Sequence, residues 1–205
     1  MSEATAHDYL WFGRHFPFLA EAYCVTLVRG PAPDALLKRL GATELRRVTG
    51  VDDLTEPAYE AWDTHDGDRL FAGVTGVGEW AVMIEPNGYL GISDEFLVPL
   101  SRGTTAVSHF RNVNAVDHFN WYEDGERRLH FEPLFAHSRD GSDPDGSLDT
   151  MRAAGFDLSE DDERSYELHT EAAFALAERL TGVRLTRELL DASEFVCGAV
   201  PLPTP

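Results

Sequence analysis

The segment 79–91 constrains the fold more than any other, because a run of apolar residues there meets a Pro-Asn-Gly turn. Residues 80–84 are all apolar, so both faces of a strand at this position are apolar. Such a strand is typical of the centre of a sheet that is covered on both sides. Pro86 and Gly88 suit neighbouring turn positions, so the pattern predicts a hairpin whose second strand begins at Tyr89.

The order of the segments predicts an α+β fold. Mixed elements come first, antiparallel strands follow, and the C-terminal part has helical patterning. We expect an antiparallel sheet of about five to seven strands with flanking helices and a C-terminal helical segment. The chain has 205 residues, of which 43% are hydrophobic, which is enough for one sizeable core. The predicted division is a single domain over residues 1–200 and a proline-rich tail over residues 201–205.

Period-two and helical patterns place the remaining elements. Further strands are predicted at residues 23–29, 44–49, 69–75, 104–111, 117–122 and 126–131. Helices are predicted to start near Pro33, Thr55, Ser93 and Leu148, at Ser159 or Asp162, and after Thr186.

The register of the hairpin after Asp117 decides which residues share a face. A three-residue loop over residues 123–125 places Phe119 opposite Leu129 and keeps the apolar residues together on a core face. A two-residue Asp-Gly loop would instead place Phe119 against His130 and break that pattern. We therefore expect the three-residue loop.

The opposite face of this hairpin is the first candidate site. It carries His118, Asn120, Tyr122, Arg128, His130 and Glu132. Two imidazoles and a carboxylate suit either a divalent metal or the acid and base of a small-molecule site. The alternative is a polar sheet surface in contact with solvent. Our prediction assigns no metal and no cofactor.

A second polar group follows the strand that begins at residue 104. His109 and Arg111 share one face of it, and Asn112 and Asn114 come at its end. An arginine near a histidine and two amides can hold a carboxylate or a phosphate. The alternative is turn chemistry by the asparagines and an arginine paired with one of the many acids.

Charge and cysteine content limit the function classes. The net charge of −19 argues against nucleic-acid binding, which needs a basic surface. The same charge suits a basic protein partner, or simply a soluble surface. Cys24 and Cys197 lie in apolar segments, so we expect free buried thiols in a reducing compartment. The sequence has no signal peptide and no long apolar run, which favours a cytoplasmic protein with no membrane contact.

Four segments carry a resemblance to a known family. They are residues 80–89, 101–104, 108–115 and 177–186. Together they resemble a family of actinobacterial proteins that is known only as a domain of unknown function. A Trp-bearing hairpin with flanking helices is also loosely similar to immunity-type proteins of bacterial toxin systems. Neither resemblance implies a catalytic residue.

Two functions follow from these observations. The first is a non-catalytic protein-binding module, regulatory or immunity-like, which fits the acidic charge and the absence of an enzyme motif. The second is a small-molecule enzyme or ligand-binding protein of bacterial secondary metabolism. Its site would use His109, Arg111, His118, His130 and Glu132 on the sheet. The sequence leaves open whether the protein is an enzyme.

Overall fold

The computed structural model describes residues 2–161, 163 and 165–203. Across these residues, nine antiparallel strands form one sheet in the order β2-β9-β3-β4-β1-β5-β6-β7-β8. The strands are β1 (Tyr23–Arg29), β2 (Thr43–Thr49), β3 (Arg69–Val77), β4 (Trp80–Pro86), β5 (Thr105–Arg111), β6 (Asp117–Glu123), β7 (Glu126–Phe131), β8 (Arg139–Asp140) and β9 (Glu194–Pro201).

Helices lie on both faces of the sheet. The α-helices are α1 (Trp11–His15), α2 (Pro17–Glu21), α3 (Pro33–Arg39), α4 (Thr55–Thr64), α5 (Asp94–Leu100), α6 (Leu148–Ala154), α7 (His169–Thr181) and α8 (Arg187–Ala192). Short 3₁₀ helices are Ala6–Tyr9, Asp52–Leu54, Leu90–Ile92 and Pro133–Phe135. No helix in the described ranges is long and apolar enough to cross a bilayer.

The middle of the sheet is buried on both faces. In β1 every residue except Arg29 is buried, and the strand pairs with β4 on one side and β5 on the other. One face packs under α7 and the N-terminal helices, with Phe119 and Phe174 in its core. The opposite face packs under α3 and α5, with Leu36 and Leu97 in its core. The apolar strand predicted at residues 80–84 is therefore central, as expected.

The hairpin predicted at the Pro-Asn-Gly turn is wrong. The strand before the turn is β4, but its hairpin partner is β3, through the turn at Gly78 and Glu79. After Asn87 the chain forms a 3₁₀ helix instead of a strand. The Glu85 carboxylate accepts the Leu90 N–H at 2.8 Å, which holds this loop over the sheet.

The predicted α+β class and antiparallel sheet are confirmed, but the strand number is larger than expected. The two additional strands are β8, which has only two residues, and β9, which lies between β2 and β3. Residues 194–201 are apolar on both faces and show no alternation, so their periodicity did not separate a strand from a helix.

The long C-terminal helix begins later than predicted. It starts at His169 rather than at Ser159, and Asp162 lies outside the described residues. The Asp157 carboxylate accepts the backbone N–H groups of Ser159 and Ser165, and such local bonds compete with helix formation.

The predicted register of the β6–β7 hairpin is also wrong, although its core face is correct. The loop is the two-residue Asp124–Gly125 turn, with φ of 51° and 79°. Phe119 lies opposite Phe131, and Trp121 lies opposite Leu129. A bulge at Arg128 restores the alternation that a two-residue loop would otherwise break.

Three smaller expectations have mixed outcomes. Cys24 and Cys197 are buried free thiols, as predicted. Trp80, which a central strand covered on both sides would bury, is only partly buried, because it lies at the end of β4 beside the turn. The proline-rich tail begins within β9, and Leu202 N–H donates to Asp68 O, while residues 204 and 205 lie outside the described ranges.

We predict that Gly91→Ala destabilises the protein by about 1–3 kcal/mol. A Cβ at Gly91 would lie 2.6 Å from Cys24 Sγ and closer still to Thr26 Oγ1, inside a packed interior. Gly13→Ala is the matched control, because a Cβ there meets nothing within 4 Å. Urea denaturation of both variants checks this, and equal midpoints for Gly91→Ala and wild type would contradict it.

Candidate functional site

The candidate residues separate into two groups, because neighbouring residues of a strand point to opposite faces of the sheet. His109 and Arg111 lie on the face covered by α7, where the ring of His109 contacts Phe174. His118 lies on the other face and stacks on Phe110. The structure therefore does not bring these histidines into one site.

An open cleft lies where β6 and β7 meet the segment 132–140, and we call it the histidine cleft. Its volume is about 410 Å³, which is within the usual range for small-molecule sites. Its walls are His118, His130, Phe131, Glu132, Phe135, His137, Ser138, Arg139 and Asp140. The cleft thus contains three of the residues predicted from sequence, namely His118, His130 and Glu132.

A chain of three side chains runs along the wall of the histidine cleft. His130 Nδ1 lies 3.0 Å from Asp140 Oδ2, and His130 Nε2 lies 3.3 Å from His118 Nδ1. An ionised carboxylate only accepts hydrogen bonds, so this pattern assigns the His130 proton to Nδ1. His130 Nε2 then accepts the Nδ1–H of His118. In this assignment Nε2 of His118 is the free basic nitrogen of the chain.

The surroundings keep that nitrogen unprotonated near neutral pH. Burial lowers the pKa of His118, the neighbouring His130 lowers it further, and the charge of Asp117 only partly opposes them. Burial also raises the pKa of Glu132, with a further contribution from the charge of Asp117. A neutral imidazole beside a carboxyl group of raised pKa is a pair suited to acid–base chemistry.

The polar groups of the cleft are mainly hydrogen-bond acceptors. Glu132 and Asp140 contribute carboxylates, and His118 contributes a ring nitrogen. Arg139 Nη1 and Nη2 are already bonded to Ala136 O at 2.6 Å and to Asp145 Oδ1 at 3.0 Å, and its Nε, which has no partner among the described residues, is buried away from a ligand. The cleft therefore favours a ligand that donates hydrogen bonds over an anion.

A second polar group is buried under α7, and we call Arg111, Asp117, His169 and Thr170 the ion cluster. Asp117 is fully buried, and Arg111 Nη1 lies 2.8 Å and 3.0 Å from its two carboxylate oxygens. His169 Nε2 lies 3.4 Å from Asp117 Oδ2, and His169 Nδ1 lies 2.7 Å from Tyr166 O. Two acceptors around one ring indicate an imidazolium.

The charged side chains of the ion cluster are paired with one another. Burial alone would raise the pKa of Asp117, but the hydrogen bond from His169 and the charge of Arg111 lower it overall. For His169 burial lowers the pKa, but the hydrogen bonds to Asp117 and Tyr166 O together with the charge of Asp117 outweigh it, and the net shift is upward. The charge of Arg111 is thus paired with that of Asp117. The structure therefore does not support the predicted binding of a carboxylate or phosphate ligand by Arg111.

His109 is a buried neutral histidine. It is 2% exposed, its Nδ1 lies 3.3 Å from the Tyr23 hydroxyl, and its Nε2 is buried without a hydrogen-bond partner in the described residues. Burial lowers the pKa of His109 to about 4. Its ring packs against Tyr23 and Phe174, so it contributes to the core.

The remaining candidate residues have structural partners. Asn120 is buried against Ser108 and Gly91, and the Tyr122 hydroxyl bonds to Asp94. Asn112 accepts the N–H groups of two residues in its own loop, which is the turn chemistry considered as the alternative.

Asn114 and Arg128 also lie away from the cleft. Asn114 is exposed in the loop between β5 and β6. The bulge turns Arg128 toward Trp121, Glu123 and Asp143, away from His130. The predicted polar face of the hairpin therefore loses Arg128 because of the register error.

Sequence reasoning missed Asp117, His169 and Asp140 of these clusters, and also the buried Glu85, which lies outside them. Asp140 belongs to the two-residue strand β8, ten residues from His130, and only the β7–β8 pairing brings them together. His169 sits on a helix that no local pattern connects to the sheet. Glu85 follows the apolar run directly, and burial raises its pKa to about 8.

A metal site would need at least three ligand side chains close together. Within residues 2–161, 163 and 165–203, no group of three or more His, Cys, Asp or Glu side chains could hold a metal ion.

Comparison with known proteins places the chain in a family without assigning it a function. Residues 2–204 match a family described as a family of unknown function (DUF6461). The chain belongs to this family. No curated protein and no solved structure matches the chain. The family supplies no known chemistry, so the geometry of the histidine cleft carries the functional argument.

We predict that His109 makes the protein less stable as the pH falls from 6.5 to 4. In that range the unfolded chain binds a proton at His109 and the folded chain does not, since its folded pKa is about 4. The free energy of unfolding should fall on the order of 3 kcal/mol more in wild type than in His109→Gln. Urea denaturation at several pH values measures this, with exposed His7→Gln as control. Parallel pH profiles for wild type and His109→Gln would contradict it.

Proposed function

We propose that the histidine cleft binds a small polar molecule carrying a hydroxyl or amino group, and that His118 acts on it as a general base. The observation that carries this proposal is the hydrogen-bonded chain from Asp140 through His130 to His118. A carboxylate that orients one imidazole, which in turn orients a second, holds the terminal nitrogen in one tautomer.

The partial burial of the histidines supports this function over a purely solvated face. The His130 side chain is 25% exposed, and His118 is also partly buried. The segment 132–140 lies against one side of them. A surface histidine pair without function would need neither this cover nor a carboxylate partner.

The acceptor-rich wall supports the choice of ligand class. A hydroxyl or ammonium group on the ligand can donate to Glu132, Asp140 or His118, whereas a carboxylate or phosphate would meet like charge. Glu132 lies on the same wall, and because its pKa is raised, its protonated form can donate a proton of its own to the ligand while His118 accepts one.

An NMR experiment with probe molecules tests the ligand class. Amino alcohols should shift the ring signals of His118 and His130, and dicarboxylates should not. His118→Gln should weaken amino alcohol binding roughly five- to tenfold, because the ligand loses one hydrogen bond to the imidazole. His7→Gln is the control, because His7 is exposed outside the cleft. Stronger binding of dicarboxylates, or no shift with either class, would overturn the proposal.

Titration of the histidines supplies an independent check. His118 should titrate below the ordinary value near 6.5 and His169 above it, because their surroundings shift them in opposite directions. In Asp117→Asn both pKa values should fall and move closer together, because His169 loses a hydrogen bond and a charge partner whereas His118 loses only a charge effect. Two superimposable curves in wild type would show that the surroundings do not tune them.

A further inference from the structure

Helix α4 differs from the other helices that cover the sheet. None of its residues is buried, although it packs on β3. It exposes two large aromatic side chains, Tyr59 at 60% and Trp62 at 47%. Tryptophan and tyrosine in exposed positions are the residues most enriched at the centres of protein interfaces.

The two aromatic residues form one wall of a narrow groove, which we call the α4 groove. Its walls include Ala58, Tyr59, Trp62, Arg69, Phe71 and Pro86. Its volume is about 140 Å³, well below the roughly 300–1,000 Å³ of small-molecule pockets. A groove of this size accepts a single side chain rather than a whole metabolite.

The loop after α4 packs against one side of Trp62 and so limits the motion of its ring before any partner binds. Gly67 N–H donates to Trp62 O at 3.1 Å, and a Cβ at Gly67 would lie only 3.1 Å from the indole ring. Gly67 also has a φ of 79°, which favours glycine. A fixed aromatic ring loses little entropy on binding, so it makes an efficient anchor.

Acidic residues surround the α4 groove. Glu56, Glu60 and Asp63 are exposed on α4, and Asp66 and Asp68 are exposed in the loop that follows. Two arginines lie nearby, Arg46 at 3.8 Å from Glu60 and Arg69 with a hydrogen bond to the neutral Thr43 hydroxyl at 2.8 Å, and the five carboxylates outnumber them. The rim is therefore negative, in a chain whose net charge is −19.

We infer that the α4 groove docks a lysine- and arginine-rich segment of another protein, which inserts one apolar side chain beside Trp62. The acidic rim attracts the basic residues, and the small apolar groove receives the anchor. A second copy of this chain is a poor occupant, because it would bring the same acidic rim into contact with itself. This surface is separate from the histidine cleft and does not depend on its function.

Synthetic peptides test the inference. The first peptide alternates lysine and arginine with serine around a central leucine, the second replaces the leucine with serine, and the third replaces the basic residues with glutamate. The first should bind and shift the indole N–H signal of Trp62. Its affinity should exceed that of the second by about tenfold and fall with added salt. The third should not bind.

Variants of the protein complete the test. Trp62→Ala and Tyr59→Ala should each weaken the first peptide by about tenfold, and Glu56→Gln with Asp63→Asn should reduce the salt dependence. Phe18→Ser and Asp149→Asn are controls, because these exposed residues lie outside the groove and should change affinity less than about twofold. Thermal unfolding verifies that each variant is folded.

Three results would overturn the inference. They are equal binding of the peptides with and without leucine, unchanged binding by folded Trp62→Ala and Tyr59→Ala, and a dimer in light scattering that is lost in Trp62→Ala. The last result would assign the groove to a second copy of this chain.

Discussion

The structure depends on the burial of both faces of its central strands. β1, β3, β4 and β5 have few exposed residues, so neither face of the sheet can remain open to water. Helices from both ends of the chain cover one face, and α3 and α5 cover the other. The strand β9, close to the C-terminus, enters the sheet beside β3 and thereby joins the end of the chain to its core.

Because both faces of the central strands are buried, many polar groups inside the protein are paired. Each buried polar side chain needs a partner, because an unpaired one costs about 1–3 kcal/mol. Asp117 meets this need through Arg111 and His169, and Glu85 through one of its oxygens, which accepts from Leu90 N–H, whereas Glu85 Oε1 and His109 Nε2 have no partner among the described residues. These groups tie α7 and the 3₁₀ helix Leu90–Ile92 to opposite faces of the sheet. These polar groups therefore fix the positions of the helices that cover the sheet.

The two proposed surfaces lie where this burial ends. The histidine cleft occurs at the edge of the sheet, where β8 is too short to cover β7. The α4 groove occurs where a polar helix covers β3 incompletely. A ligand or partner reaches side chains at both places without opening the core. The acidic charge of the chain influences both, because it disfavours anions in the cleft and favours cations at the rim of the groove.

The sequence by itself determined seven of the nine strands and the faces on which their apolar residues lie, but not β8 and β9. It predicted β1 at its observed limits, the central position of residues 80–84 and the core face of the β6–β7 hairpin. These features depend on local alternation and burial, which a single segment records. The bulge at Arg128 lies outside such reasoning, because it depends on how two strands pair. Only the tertiary structure decided that His109 and Arg111 face α7 while His118 and His130 face the cleft. The partners Asp140 and His169 reach them through strand pairing and helix packing, and no local pattern encodes those distances.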